Sequence, residues 1–185
     1  RKYQLNFGWS VEEIELILHP MAEDAKEATG SMGDDTPVAV LSDRYRGLHH
    51  FFRQNFSQVT NPPMDSLRER RVMSLKTRLG NLGNILAEEE DQAMVLQLES
   101  PVLLTAEFEA MRAHIGDAAV EIDCVFDPAG GENALRAAID RVCAAAEDGI
   151  REGAKHIILS DRALGPKAAP VPMSLAAGAV HSHLV

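Results

Sequence analysis

Two serine–aspartate pairs stand where α/β proteins commonly place functional groups. Ser42 and Asp43 follow the apolar run 38–41, and Ser160 and Asp161 follow the apolar run 156–159. The stretches that contain them, VLSDR and ILSDR, echo each other. A hydroxyl or carboxylate at the exit of a buried strand can serve a functional site, and it can equally cap the next element. Two caps of the same chemical kind and a true internal duplication explain the echo equally well.

A glycine-rich loop and scattered aspartates are the next candidates. The loop 30–35, GSMGDD, has the look of a phosphate-binding loop, but it lacks the P-loop lysine and its aspartates would repel an anion. We therefore predict a tight turn. Asp34, Asp35, Asp43 and Asp161 could surround a cation, but their spacing specifies no calcium loop. Helix capping is the preferred interpretation for these aspartates.

The cysteines and histidines do not form a ligand or nucleophile pattern. Cys124 falls on the apolar face of a predicted strand and Cys143 on the apolar face of a predicted helix, so both are expected to be small core residues. The histidine pairs at 49–50 and at 181 and 183 lack the i, i+4 spacing of metal ligands on one helix face. We predict no catalytic residue, no cofactor-binding residue and no metal ligand in this chain.

Composition narrows the class of protein. The chain has 185 residues, is 45% hydrophobic and carries a formal net charge of -10, so nucleic acid and anionic membrane surfaces are not expected partners. It has no apolar run long enough for a membrane span, and two cysteines are typical of the cytoplasm. A chain that begins with Arg1 rather than Met predicts a fragment of a longer protein.

Hydrophobic periodicity predicts alternating helices and strands. Ser10 and Glu13 have capping-box spacing at the start of a helix that Pro20 should divide in two. Strands are predicted at 38–41, 58–60, 94–98, 120–126 and 156–159, and helices from 42, from 65 or 66 to 73, at 105–114, after 131 to 153, and from 174. The alternation favours an α/β fold of parallel βα units that form an incomplete TIM-barrel-like domain spanning residues 1–185.

Several long stretches carry a resemblance to one family. GSMGDDTPVAVLSD at 30–43 and FSQVTNPPMD at 56–65 are similar to the central region of glutamate synthase large chains, as are ESPVL at 99–103, IILSDR at 157–162 and AVH at 179–181, in the same order. The resemblance covers nearly the whole chain.

The resemblance implies a place in a larger oxidoreductase. Such enzymes form glutamate from glutamine and 2-oxoglutarate, with ammonia passing through an internal channel between an amidotransferase domain and a domain that holds FMN and an iron–sulfur cluster. The central domain joins these two domains, which are its expected partners, and the cofactors are expected outside this chain. Thr60 and Asn61, in a polar loop after a predicted strand, are our candidates for a contact beside the ammonia channel.

Two other functions stay open at this stage. The chain could be a small independent barrel-type enzyme that uses its Ser-Asp strand ends. It could also be a ligand-binding or regulatory module with the loop 30–35 as its binding loop. The lack of a convergent acid, base and nucleophile favours the scaffold, and the chain alone is predicted to be inactive. A fragment of a barrel should expose apolar surface, which predicts self-association.

Overall fold

The computed structural model divides the chain into two compact units, Arg1–Asp65 and Ser66–Val185. We describe each unit by itself. The residues that the structure describes are 3–4, 7–23, 40–43, 47–52, 74, 76–80 and 82–185.

The first unit contains a helical segment that begins with the predicted cap. Helix α1 spans Val11–Glu13, a π-helical turn follows at Ile14–Leu18, and helix α2 spans His19–Glu23. Ser10 Oγ accepts a hydrogen bond from the Glu13 N–H at 3.1 Å, and Glu13 Oε2 accepts one from the Ser10 N–H at 2.7 Å. These reciprocal bonds satisfy two of the free donors at a helix start, so the capping-box prediction is confirmed.

A widened turn precedes Pro20, where the sequence predicted a division of the helix. Pro20 lies in the first turn of α2, and the His19 N–H donates to the Ile14 carbonyl, one residue further back than in an α-helix. Proline has no N–H and its ring clashes with the preceding turn. A π turn separates the two short helices, so the chain does not leave the helical path.

The predicted strand at 38–41 is wrong in the part that the structure describes. Val40 and Leu41 lie in a turn with 78% and 98% of their surface exposed, and turn geometry keeps their backbone groups out of a strand ladder. The predicted helix from residue 42 is described only as a short 3-10 turn at Leu48–Phe51. The strand at 58–60 and the helix ending at 73 lie outside the described residues.

The second unit is a mixed α/β structure. Its elements are β1 Thr77–Leu79, β2 Leu96–Leu98, α3 Thr105–Ile115, β3 Ala119–Asp123, β4 Val125–Phe126, α4 Ala134–Arg151, β5 His156–Ser160, β6 Ala169–Pro170 and α5 Met173–Leu184. Strands β3 and β5 pair in parallel, whereas β1 pairs with β2 and β4 with β6 in antiparallel fashion. The α/β class is confirmed. Within the described residues these strands form three two-stranded sheets and no closed barrel.

One predicted βα unit, β3–α4–β5, organises the core. The parallel register runs from Ala119 opposite His156 to Asp123 opposite Ser160. Helix α4 packs on β3 through a stripe of small and branched side chains. The buried core residues are Ile122, Cys124, Ala138, Val142, Cys143, Ala146, Val171, Ala176 and Val180. Both cysteines are therefore core residues, as predicted.

The contact between α4 and β3 depends on a glycine. Gly149 is buried, and a Cβ atom placed on it would lie 2.7 Å from Val120 Cγ1. Ile150, which the periodicity placed on the apolar stripe, is instead 45% exposed. The helix approaches the strand so closely that only a residue without a side chain fits at the contact point.

Cys124 is the point at which the β3 strand changes partner. Its N–H donates to the Ser160 carbonyl at 2.6 Å, which continues the parallel ladder, and its carbonyl accepts from the Val171 N–H at 2.8 Å. The carbonyls on either side of it, of Asp123 and Val125, both accept hydrogen bonds from Arg141 Nη2 of α4, at 3.0 and 2.9 Å. Arg141 thus holds the backbone where two sheets meet.

Helix α3 confirms the predicted helix at 105–114, but its cap differs. We expected Thr105 to cap the helix, whereas Glu107 Oε2 accepts a hydrogen bond from the N–H of the N-cap residue, Leu104, at 2.7 Å. Helix α5 begins after Pro172, one residue before the predicted start. None of the helices in the described ranges is long and apolar enough to cross a membrane.

Candidate functional site at the carboxyl ends of the parallel strands

The carboxyl ends of β3 and β5 bring several polar groups to one edge of the sheet. Asp123 and Ser160 are paired in the register, and Asp161 and Arg162 follow directly. Ser160 is 6% exposed. Among the described residues, it is the one polar residue that is classed as buried. In parallel sheets this edge is the usual place for a binding or catalytic site.

The Ser160 hydroxyl is used within the chain. Its Oγ accepts a long hydrogen bond, 3.4 Å, from the Arg162 N–H, which is the geometry of a serine turn. The expectation that Ser160 caps the element after its strand is therefore confirmed, although that element is a turn and not a helix. The equivalent pair, Ser42 and Asp43, is exposed, so the two halves of the sequence echo differ in their surroundings.

Arg162 closes one side of a small cleft beside this edge. Its guanidinium forms an ion pair with Glu109 of α3 and lies 4.7 Å from the centroid of the Phe108 ring. The cleft has a volume of about 240 Å³ and is lined by Phe108, Ser160, Asp161 and Arg162 together with Leu103 and Thr105. Pairing with Glu109 raises the pKa of Arg162, so its charge is fixed.

The residues of this cleft are not arranged for nucleophilic catalysis. A serine nucleophile needs an adjacent base such as histidine or lysine, and no described residue that lines the cleft is of either type. The positive charge of Arg162 is already paired with Glu109. The arrangement therefore acts to join α3 to the end of β5.

The two thiols lie in the core and are in their unreactive form. Burial is the main cause that raises the pKa of Cys124, and it outweighs the opposing effects of the Ser160 hydrogen bond and of Arg141. Burial also raises the pKa of Cys143, and the charge of Asp140 adds to the effect. Because the thiolate is the nucleophile and the metal ligand, neither cysteine is prepared for chemistry.

Several other sequence candidates lie outside the described residues. These candidates are the loop 30–35 and the residues Thr60 and Asn61, so the structure does not place them. Among the residues that are described, no group of three or more His, Cys, Asp or Glu side chains could hold a metal ion. Arg141 and Glu109 were missed because nothing in their spacing marks them.

The comparisons with known proteins decide the family. The family model described as "Glutamate synthase central domain" matches residues 2–185. The chain belongs to this family. The resemblance seen in the sequence is thereby confirmed.

The chain is similar to curated glutamate synthases over all or nearly all of its length. It is 67% identical over its full length to the glutamate synthase [NADPH] large chain of Azospirillum brasilense, covering 12% of that protein. Glutamate synthase [NADH] of Schizosaccharomyces pombe is 42% identical over the full chain, which covers 9% of it. The chloroplastic ferredoxin-dependent glutamate synthase of Spinacia oleracea is 41% identical over 98% of the chain, which covers 11% of it.

The same matches show how much of each relative this chain represents. The chain spans about a tenth of the length of the curated relatives that it matches. The names of these relatives carry NADPH, NADH and ferredoxin respectively.

Proposed function

We propose that this chain is the central scaffold of a glutamate synthase, an oxidoreductase that forms glutamate from glutamine and 2-oxoglutarate. In this role it joins an amidotransferase domain to an FMN domain of the same polypeptide. The family match over residues 2–185 supports the assignment to the enzyme. The internal use of the strand-end groups Ser160 and Arg162 supports a structural role.

The observation that carries the scaffold proposal is an exposed apolar surface between β1 and β2. Ile85 is 70% exposed, Leu86 85% and Met94 82%. Apolar side chains that are exposed within one connecting segment are candidates for contacts with other protein segments. In the proposed arrangement the neighbouring domains of the enzyme cover this surface.

Substitution of Ile85 and Leu86 by serine in a full-length glutamate synthase tests this proposal. Because both side chains are largely in solvent within this chain, the double variant should barely change the unfolding midpoint of the 185-residue chain itself. In the full-length enzyme it should lower the rate of glutamate formation and the unfolding temperature. An unchanged full-length enzyme would refute the proposed covering of this surface.

The polar loop that contains Thr60 and Asn61 is proposed to border the ammonia channel. A channel for ammonia needs small polar groups and the exclusion of bulk water, and threonine and asparagine supply such groups. Replacing Thr60 by valine in the full-length enzyme should raise the amount of glutamine hydrolysed per glutamate formed. Thr105→Val, at the exposed start of α3, is the matched control. Equal coupling in both variants would refute the channel assignment.

Three further features complete the proposal. The parallel β3–α4–β5 unit is proposed to be one repeat of a barrel-like domain. FMN and the iron–sulfur cluster are proposed to be held outside this chain, because such a cluster needs about four thiolates and the two cysteines here are buried in the core. Unpaired cysteines also support a cytoplasmic enzyme.

A further inference from the structure

A second cavity lies at the opposite end of the parallel strands from the candidate site. Its volume is about 640 Å³, within the range of small-molecule sites in proteins. The hairpin β1–β2 and its connecting loop form one wall, and the end of α3 and the start of β5 form the other. All of these elements belong to the unit Ser66–Val185.

Apolar side chains form much of the cavity wall. Leu79 and Leu96 project from the hairpin, and Ile115 projects from the end of α3. Met94 and Leu82, at 82% and 44% exposure, lie at the cavity with much of their surface in solvent. Apolar area left in water at a concave surface favours a ligand with an apolar body.

Basic groups are concentrated on the α3–β5 wall. Lys155, His156 and His114 line the cavity there, although the chain as a whole carries a formal net charge of -10. Among the described residues, none of these three takes part in an ion pair, whereas Arg112 and Arg162 are both paired with glutamates. The α3–β5 wall therefore offers hydrogen-bond donors to an anionic group.

One acidic group, Glu89, lines the loop side of the same cavity. It opposes an anionic ligand wherever the ligand comes near it, so the anionic group is expected at the α3–β5 wall. A ligand with two separated anionic ends fits less well than a ligand with one anionic end and an apolar chain.

We propose that this cavity binds a small amphiphilic carboxylate, whose carboxylate group contacts Lys155 and whose apolar chain packs on Leu79, Leu96 and Ile115. This site shares Met94 with the proposed scaffold surface, whereas Ile85 and Leu86 do not line it. It does not depend on the proposed function, because its residues all lie in one unit of this chain.

Octanoate is the probe for the carboxylate, and octan-1-ol and butyrate are its matched controls. Heteronuclear NMR of the chain should show saturable shifts at the Lys155 and His156 amides with octanoate. Octan-1-ol lacks the charge and should bind at least about tenfold more weakly, as expected for the loss of one charge-assisted hydrogen bond. Butyrate lacks four methylene groups and should also bind at least about tenfold more weakly.

Two variants and one control test the charged half of the site. Lys155→Met should weaken octanoate binding about tenfold, whereas Lys167→Met, at an exposed lysine that does not line the cavity, should leave it unchanged. Glu89→Gln removes the opposing charge and should tighten binding.

The apolar half has its own variant. Met94→Gln, at an 82% exposed position where folding is not at risk, should weaken octanoate and octan-1-ol alike. Absence of saturable shifts would overturn the proposal, and so would equal affinity for octanoate and octan-1-ol or unchanged octanoate affinity in Lys155→Met. Failure here would leave the scaffold proposal untouched, because that proposal is tested in the full-length enzyme.

Discussion

Gly149→Ala is the substitution whose effect the structure defines most sharply. Alanine is favoured over glycine in a helix interior by about 1 kcal/mol, so helix propensity alone predicts stabilisation. At Gly149, however, the added Cβ would lie 2.7 Å from Val120 Cγ1 and 3.3 Å from Val120 Cβ. Overpacking of this kind costs about 1–3 kcal/mol.

The geometry at Val120 decides which effect is larger. Optimal carbon–carbon contact lies at about 3.5–4.0 Å, so the helix or the valine must move by roughly 1 Å. Rotation of the Val120 side chain gives only partial relief, because its Cβ, which the rotation does not move, is itself 3.3 Å away. Movement of the helix would loosen the buried contacts of Val142 and Ala146. The difference between the two effects leads us to expect that Gly149→Ala lowers the free energy of unfolding by up to about 2 kcal/mol.

Urea denaturation followed by far-ultraviolet circular dichroism measures this change, provided that the slope of the transition stays constant. Gly178→Ala in α5 is the matched control, because a Cβ there meets no atom within 4 Å. It should stabilise the chain by up to about 1 kcal/mol. Val120→Ala should cost less in the Gly149→Ala background than alone. Equal stabilisation by both glycine substitutions would refute the reasoning.

Three further predictions concern single side chains. Arg141→Met should destabilise the chain by about 1 kcal/mol, since two backbone carbonyls lose a charged donor but stay near solvent. A carboxyl NMR titration should show a lowered pKa for Glu147, caused mainly by the hydrogen bond from His183, and His183→Ala should raise it. Cys124 and Cys143 should react with a thiol reagent slowly in the native state and fully after unfolding.

Each of these has a control and a contrary outcome. Arg136→Met changes another exposed arginine of α4 and should have little effect, so equal losses from both arginine variants would contradict the role of Arg141. His181→Ala should leave the pKa of Glu147 unchanged. A Glu147 pKa that does not change in His183→Ala would contradict the hydrogen bond between Glu147 and His183. A cysteine that reacts rapidly in the native chain would contradict its burial.

The sign of the pH effect at Glu147 follows from its lowered pKa. A carboxyl with a lower pKa in the folded state stabilises that state above its unfolded pKa. This contribution should disappear as the pH falls through the folded pKa. The effect is small, because the residue lies at the surface and solvent screens its partners.

The sequence predicted those parts of the fold that have a clear local signal. Ser10 and Glu13 form the expected capping box because both partners lie within one turn. The stripe with Val142 and Ala146 is long enough to show helical periodicity. Strands β1 and β6, with three and two residues, are too short to produce a pattern, and their pairing depends on distant residues.

The sequence predictions fail where a tertiary contact outweighs the local hydrophobic pattern. Ile150 fits the apolar stripe, but Gly149 occupies the contact with β3 because the backbones approach closely there. Arg141 binds backbone carbonyls, which have no sequence signature. Ser160 and Asp161 were correctly placed at a strand end, but their engagement with a turn rather than a helix depends on Arg162. The assignment of Thr60 and Asn61 to a channel stays a prediction.

The central claim is that this segment serves a glutamate synthase as a scaffold and holds no site for its reactants. Thermal unfolding of the chain with glutamine, 2-oxoglutarate, FMN, NADPH or divalent metal ions tests it most directly. A ligand at a hundred times its Kd stabilises a folded protein by about 2.7 kcal/mol, which would raise the unfolding temperature visibly. The account predicts no saturable shift with any of these compounds. A saturable rise with one of them would show that the chain has a reactant site of its own and would contradict the account.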